Sequence, residues 1–298
     1  MKNLDSNKSI MVGLTQVSSG LNSLFYRHLV EESLKEDLGR GGDITTEAIV
    51  DPDAIAEAVI ASRSEGVIAG LSVALFGFFL LDSRMEVNIL KRDGEKVYPG
   101  DTLLHLKGNA RALLTAERTG LNLLGRMSGI ATATRQLSDL ISHTKAKVVD
   151  TRKTTPGLRA LEKYSVRMGG GQNHRMGLDD MILIKDNHIA YAKSISDAVE
   201  KARARVGHTV KIEVEVDTLV QLEEVMKTDA DIVMLDNMNI ETLKAAVKMV
   251  GGRKIVEASG GVDARTIVGI AETGVDLISV GALTHSVINL DVGLDFIS

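Results

Sequence analysis

Apolar residues recur at helical spacing from Leu21 to Leu38, with Leu24, Leu29 and Leu34 among them, and predict a helix that stops near Gly39. Short apolar runs at 56–61, 66–69, 85–91 and 102–106 read as strands. Turn chemistry separates some of them, at Arg92-Asp93-Gly94 and Pro99-Gly100-Asp101, and a helix is predicted over 72–81. The segment 110–143 is helical in pattern, with Leu113, Leu114, Leu121, Leu123 and Leu124 on an apolar face and a break predicted at Ser128-Gly129. Residues 1–20 are polar without a clear period and read as a poorly ordered arm.

From Lys145 the rhythm changes. Short apolar strands at 146–150, 181–185, 211–216, 231–236, 254–259 and 277–281 alternate with amphipathic helices at 158–168, 194–206, 219–227, 240–250 and 264–273. Ser194, Asp217, Asn239 and Asp263 stand where N-caps are expected. Repeated βα units of this size imply a parallel sheet with right-handed crossovers. Six strands without a glycine-rich dinucleotide loop favour an incomplete α/β barrel, with an open parallel sheet as the alternative. The pattern thus predicts a small α+β domain over 21–125, then a barrel domain over 126–285.

Composition narrows the function classes. With 44% apolar and 25% charged residues, the 298-residue chain reads as soluble and globular. The longest apolar run, 73–81, is too short for a membrane span and is followed by Asp82 and Arg84. The N-terminus lacks the basic-then-apolar pattern of a secretory signal. The absence of cysteine excludes disulfides, thiolate metal sites and a cysteine nucleophile, and fits a reducing cytoplasm. A net charge of −5, 3% aromatic residues and no tryptophan argue against nucleic acid. Against that acidic background, 152–185 carries seven Lys or Arg and three Asp or Glu, a basic island suited to a small anionic ligand or to a solvated face.

The predicted strand ends decide which. In a parallel barrel, ligands are handled by loops at the carboxyl ends of the strands. Those ends read Asp150-Thr151-Arg152-Lys153, Lys185-Asp186-Asn187-His188, Glu215 with Asp217, Asp236-Asn237, Ser259-Gly260-Gly261 and Gly281-Ala282. Any one is an ordinary polar loop; six in succession predict a shared site. Arginine matches carboxylates with paired hydrogen bonds, lysine is a movable point charge for phosphate, and the glycine turns let backbone N–H groups reach a phosphate. Glu215 and Asp236 are oxygen donors for a sugar diol or a hard divalent cation, or else helix caps and ion-pair partners. Gly169-Gly170-Gly171 ends a helix and turns sharply before His174 and Arg175, which makes that pair a candidate ligand contact.

These segments resemble the quinolinate phosphoribosyltransferase family, also called carboxylating nicotinate-nucleotide pyrophosphorylases. The resemblance rests on residues 150–159 (DTRKTTPGLR), 169–175 (GGGQNHR), 183–188 (LIKDNH), 116–119 (AERT), 213–217 (EVEVD), 235–237 (LDN), 258–261 (ASGG) and 280–286 (VGALTHS). It runs in order from about Glu36 to near the C-terminus. Gly120, Met168 and an extra glycine within 39–43 depart from the pattern without removing a charged position.

The resemblance implies an open barrel of the type II phosphoribosyltransferase kind, often described as seven strands, with an N-terminal sandwich domain on which the tail 286–298 packs back. It implies a homodimer in which Arg118 is donated to the neighbouring subunit's site, and leaves higher assembly open. It implies transfer of phosphoribosyl from phosphoribosyl pyrophosphate to quinolinate with loss of CO2, assisted by Mg2+. By position, Arg118, Arg152 and Arg175 would clamp the quinolinate carboxylates with His174 and Lys185 nearby. Lys153 and Lys185 would hold phosphoribosyl pyrophosphate, while Glu215 and Asp236 would bind ribose hydroxyls and the metal. Ser259, Gly260, Gly261, Gly281 and Ala282 would cradle the 5′-phosphate. Two other readings are a transferase for a monocarboxylate such as nicotinate and a non-catalytic nucleotide sensor; the three arginines and the intact acids weigh against them.

Overall fold

A computed structural model of the chain describes residues 20–297, so the predicted N-terminal arm lies almost entirely outside the described residues. The chain divides into two compact units: residues up to 133 with 156–170 and 286 onward, and residues 134–155 with 171–285.

The first unit is built on an antiparallel sheet. Its strands are β1 (Ile55–Ser62), β3 (Glu86–Ile89), β5 (Thr102–Asn109) and β12 (Val292–Phe296), in the order β12-β1-β5-β3. β2 (Gly66–Val67) and β4 (Lys96–Val97) pair separately. The C-terminal strand thus sits on the edge of β1, with Ala58 opposite Phe296 and Ser62 opposite Val292. Helix Leu71–Leu81 is apolar all round and nearly wholly buried, as such a helix must be. Its start is capped from a distance: the Asp93 carboxylate accepts the Gly70 and Leu71 N–H groups at 2.9 and 3.2 Å and the Tyr164 hydroxyl at 2.7 Å.

Helix Ala110–Leu140 runs without the break predicted at Ser128-Gly129. The Ser128 hydroxyl is taken up by Ala69, accepting from its N–H at 3.0 Å, rather than competing for the helix backbone. Gly129 is there for closeness: an added Cβ would stand 2.2 Å from the Ile288 carbonyl oxygen. Because the helix is continuous, Leu121, Leu124, Met127 and Ala131 stay in the first unit's core. The boundary therefore falls after Ala133 and not at 125. Helix Arg159–Met168, assigned from its rhythm to the barrel, also belongs to the first unit. Leu161 and Tyr164 bury in its core, and the Arg126 guanidinium donates to Glu162 at 2.8 Å.

The second unit is a parallel sheet of β6 (Lys147–Val149), β7 (Ile182–Ile184), β8 (Ile212–Val216), β9 (Ile232–Asp236), β10 (Ile255–Ser259) and β11 (Leu277–Ser279). The order β6-β11-β10-β9-β8-β7 joins the last strand to the first, with Leu277 opposite Lys147, which is the connectivity of a barrel. On the other side of β6 a single bridge, Val149 to Gln172, takes the place of a seventh strand. No pairing joins Gln172 to β7 among the described residues, so the barrel stays open there.

Helix starts differ from expectation at two places. Thr218, not Asp217, caps Leu219–Val225 in a reciprocal box with Gln221. Asp263 caps a turn ahead of Ile267–Ala271, accepting from the Arg265 and Thr266 N–H groups at 2.8 and 3.2 Å. An additional helix, Asp186–Ala192, follows β7 directly.

Candidate active site

Every β strand of the second unit ends at one cavity of about 790 Å³. Arg152 and Lys153 follow β6, Lys185 follows β7, Glu215 lies near the end of β8, Asp236 closes β9, Ser259 closes β10, and Gly281 and Ala282 follow β11. His174 and Arg175 enter from the turn after Gly170, whose φ of 90° only glycine adopts freely. All predicted site residues of the second unit therefore line the same space. Arg118 does not; it belongs to the first unit, on the exposed side of the long helix, 3.9 Å from Glu117.

The cations are held in different ways. Arg175 donates to the Met181 carbonyl at 3.2 Å. Burial, then the nearby positive charge of Arg152, pushes its guanidinium below the usual arginine value, against the opposing charges of Glu213 and Asp180. The Lys153 stem lies against Gly281, where an added Cβ would come within 3.1 Å of it. Its backbone is pinned on both sides, its N–H by Thr151 at 3.0 Å and its carbonyl by the Thr284 hydroxyl at 2.8 Å. Lys185 is ion-paired with Glu215.

The glycine turn after β10 interlocks with the end of β9. Asn237 has φ 52°, uncommon for any residue but glycine, and donates its side-chain amide to Asp236 at 2.7 Å and its backbone N–H to the Ser259 carbonyl at 2.9 Å. Gly260, at φ 95°, comes so close that an added Cβ would meet Asn237 Oδ1 at 2.1 Å. Asn237 lines the cavity and orients Asp236, a role the sequence reading did not give it. Its signal was the Asp-Asn pair ending an apolar strand. Asp263 also lines the cavity, but hydrogen bonds from Arg265 hold its carboxyl down to about 2, and the Arg265 guanidinium is the counter-ion of the carboxylate. His188 was grouped with the strand-end charges; it serves as a cap instead, its Nδ1 accepting the Lys185 N–H at 2.9 Å.

Beneath the cavity lie two acids missed by the sequence reading. Glu213 and Glu257 are 0% and 1% exposed, and both reach His174. The period of two was legible: Glu213 shares a face of β8 with Glu215, and Glu257 shares a face of β10 with Ser259.

Comparison with known proteins accords with this geometry. The model of the quinolinate phosphoribosyl transferase C-terminal domain matches residues 130–295, and that of the N-terminal domain matches residues 43–128.

The chain belongs to the quinolinate phosphoribosyl transferase family.

Among its relatives, the probable carboxylating nicotinate-nucleotide pyrophosphorylase of Bacillus subtilis is 45% identical over 275 residues, 92% of this chain and 94% of that one. The carboxylating nicotinate-nucleotide pyrophosphorylase of Mycobacterium leprae is 46% identical over 277 residues, 90% and 96% of the two chains. The solved structure of the nicotinate-nucleotide pyrophosphorylase from Francisella tularensis superposes with a TM-score of 0.89 at 43% identity, over 93% of this chain and 97% of that one. The quinolinate phosphoribosyl transferase models thus span both units, and the cavity lies within the part matched by the C-terminal one.

Proposed function

We propose that this chain transfers the phosphoribosyl group of phosphoribosyl pyrophosphate to quinolinate, giving nicotinate mononucleotide, pyrophosphate and CO2 in de novo NAD biosynthesis. One observation carries the reading: Arg152, Lys153, Arg175 and Lys185 line a single cavity together with Glu215, Asp236 and the glycine turns at Gly260, Gly261 and Gly281. That is the charge pattern needed to hold a dicarboxylate and a pyrophosphate beside a ribose.

Arg152 and Arg175 bind the quinolinate carboxylates by planar two-point contacts. Lys153 and Lys185 bind the pyrophosphate, and the backbone around Gly260, Gly261 and Gly281 receives the 5′-phosphate. The pyridine nitrogen attacks the anomeric carbon as the bond to pyrophosphate breaks. Positive charge develops on the ribose in between, and Glu215 and Asp236 stabilise it. Most of the rate enhancement is positioning and preset charge. The quaternised ring then accepts the electron pair of the breaking carbon–carboxylate bond, CO2 leaves, and a proton takes its place on the ring.

Mg2+ belongs to the same reading. Glu215 is engaged by Lys185 and Asp236 by Asn237, so the two acids leave oxygens for a cation shared with substrate and water rather than a closed protein cage. That donor set suits magnesium, which keeps waters and takes few carboxylates. When bound, it would neutralise charge on the departing pyrophosphate. The working unit is a homodimer in which Arg118 completes the neighbouring site; Arg118 is exposed on its helix and suited to such a contact. We place the enzyme in the cytoplasm; among the described residues, no helix is long and apolar enough to cross a membrane.

Incubating the purified protein with quinolinate, phosphoribosyl pyrophosphate and Mg2+ should yield nicotinate mononucleotide and CO2. Nicotinate in place of quinolinate should give little product. Equal turnover of the two acids would overturn the dicarboxylate assignment.

A further inference from the structure

The polar cluster under the cavity floor is a chain with a direction. The Arg175 backbone N–H donates to His174 Nδ1 at 2.7 Å, so Nδ1 is an acceptor and, in a neutral ring, the proton is on Nε2. Nε2 lies 3.0 Å from Glu213 Oε2, within donating distance, and 3.6 Å from Glu257. Ser279 donates its hydroxyl to Glu257. The other Glu213 oxygen, Oε1, is buried and has no hydrogen-bond partner.

Buried polar atoms are almost always paired, and two carboxylates cannot share a dry site with both charges intact. A single proton on Glu257 resolves both problems, because a carboxyl O–H is a donor that Glu213 can accept. Burial and the Glu213 charge push the Glu257 carboxyl up to about 8, in the direction this requires. The chain then reads Ser279 to Glu257 to Glu213, met from the other end by His174.

We propose that Glu257 and Glu213 are positioning residues: through the imidazole of His174 they fix the backbone of Arg175 and hold its guanidinium in the cavity wall. With both ring nitrogens occupied from within the protein, His174 has no hydrogen bond left for substrate. It acts as a strut, in place of the direct quinolinate contact carried over from the resemblance. This assignment rests on the proposed activity for its kinetic test, whereas its spectroscopic test does not.

The spectroscopic test is a long-range 1H–15N spectrum of the histidine rings in the ligand-free protein. His174 is assigned by the loss of its signal in His174→Asn. It should show an unprotonated Nδ1 and a protonated Nε2. A protonated Nδ1 overturns the proposal even if the enzyme proves to use another substrate.

The kinetic test compares Glu257→Gln with Glu257→Ala. Glutamine offers an N–H toward Glu213 and an oxygen toward Ser279, so it should rescue the site to within about threefold of wild type. Alanine should raise KM for quinolinate by roughly tenfold or more, with KM for phosphoribosyl pyrophosphate changed much less. A folded alanine variant with unchanged KM for quinolinate overturns the proposal, as does a glutamine variant as impaired as alanine. If alanine does not fold, the glutamine rescue and the wild-type spectrum still decide.

His174, Glu213 and Glu257 bring ligand atoms within 4.8 Å of one another, so a metal is the competing occupant. A divalent ion that co-purifies stoichiometrically and is lost in Glu257→Gln would replace the proton and end the proposal.

Discussion

Lys185 after β7 and Glu215 near the end of β8 are ion-paired across adjacent strands, with the lysine side chain 45% exposed and the glutamate 15%. Each is the other's counter-ion in the cavity mouth. On the proposed reading, an incoming pyrophosphate competes for the lysine and frees Glu215 to face the ribose. Lys185→Ala and Glu215→Gln should each lower kcat/KM severely, and the double variant should lose less than the two combined. A double-mutant cycle should find coupling of about 0.5–3 kcal/mol. Strict additivity would show that the two act independently.

Arg152 lines the cavity with Arg175, and its positive charge adds to burial in lowering the Arg175 guanidinium, with Glu213 and Asp180 acting against both. Arg152→Ala should weaken quinolinate binding by on the order of 2–5 kcal/mol, partly because a bound carboxylate loses its partner. Turnover should vanish at ordinary substrate levels while circular dichroism and the gel-filtration volume stay unchanged. Near-normal turnover would remove Arg152 from the clamp.

Arg118 provides a test of the dimer. Mixing Arg118→Ala with Lys153→Ala, each inactive alone, should restore about a quarter of wild-type activity, because half of random dimers are hybrids with one intact site of two. No recovery after subunit exchange would place Arg118 in its own chain's site or outside any site.

Gly260 stands at φ 95° with Asn237 Oδ1 in the space of a side chain. Gly260→Ala should cost about 1–3 kcal/mol in backbone strain alone. The clash would also displace Asn237 and with it the carboxylate it orients. Denaturant melts should show the loss of stability, and KM for phosphoribosyl pyrophosphate should rise more than KM for quinolinate.

Glu257 makes stability depend on pH in a defined direction. Its carboxyl is raised from the ordinary 4.5 to about 8 by burial and by Glu213, so the native state keeps a proton that the unfolded chain has already released. Unfolding therefore becomes easier as pH rises through that window, and the dependence levels off above it. Glu257→Gln lacks this titration. Relative to wild type it should gain stability from pH 4.5 to about 8, as read from urea midpoints at a series of pH values.

Much of this was legible from residue order. Hydrophobic rhythm located all six barrel strands, because a strand buried on both faces must be a short apolar run and its end must be polar. Charges at those ends then marked the cavity, since parallel strands present their carboxyl ends to one side. What residue order could not decide was where one surface meets another. Gly129 looked like a helix break and is a contact with Ile288; the helix 159–168 has the barrel's rhythm and the first unit's core. Glu213 and Glu257 look like any acids in a strand until the sheet curls and turns both inward against His174. Periodicity is a local property of the chain. The proton between two buried acids depends on distances between strands far apart in sequence, and those exist only after folding.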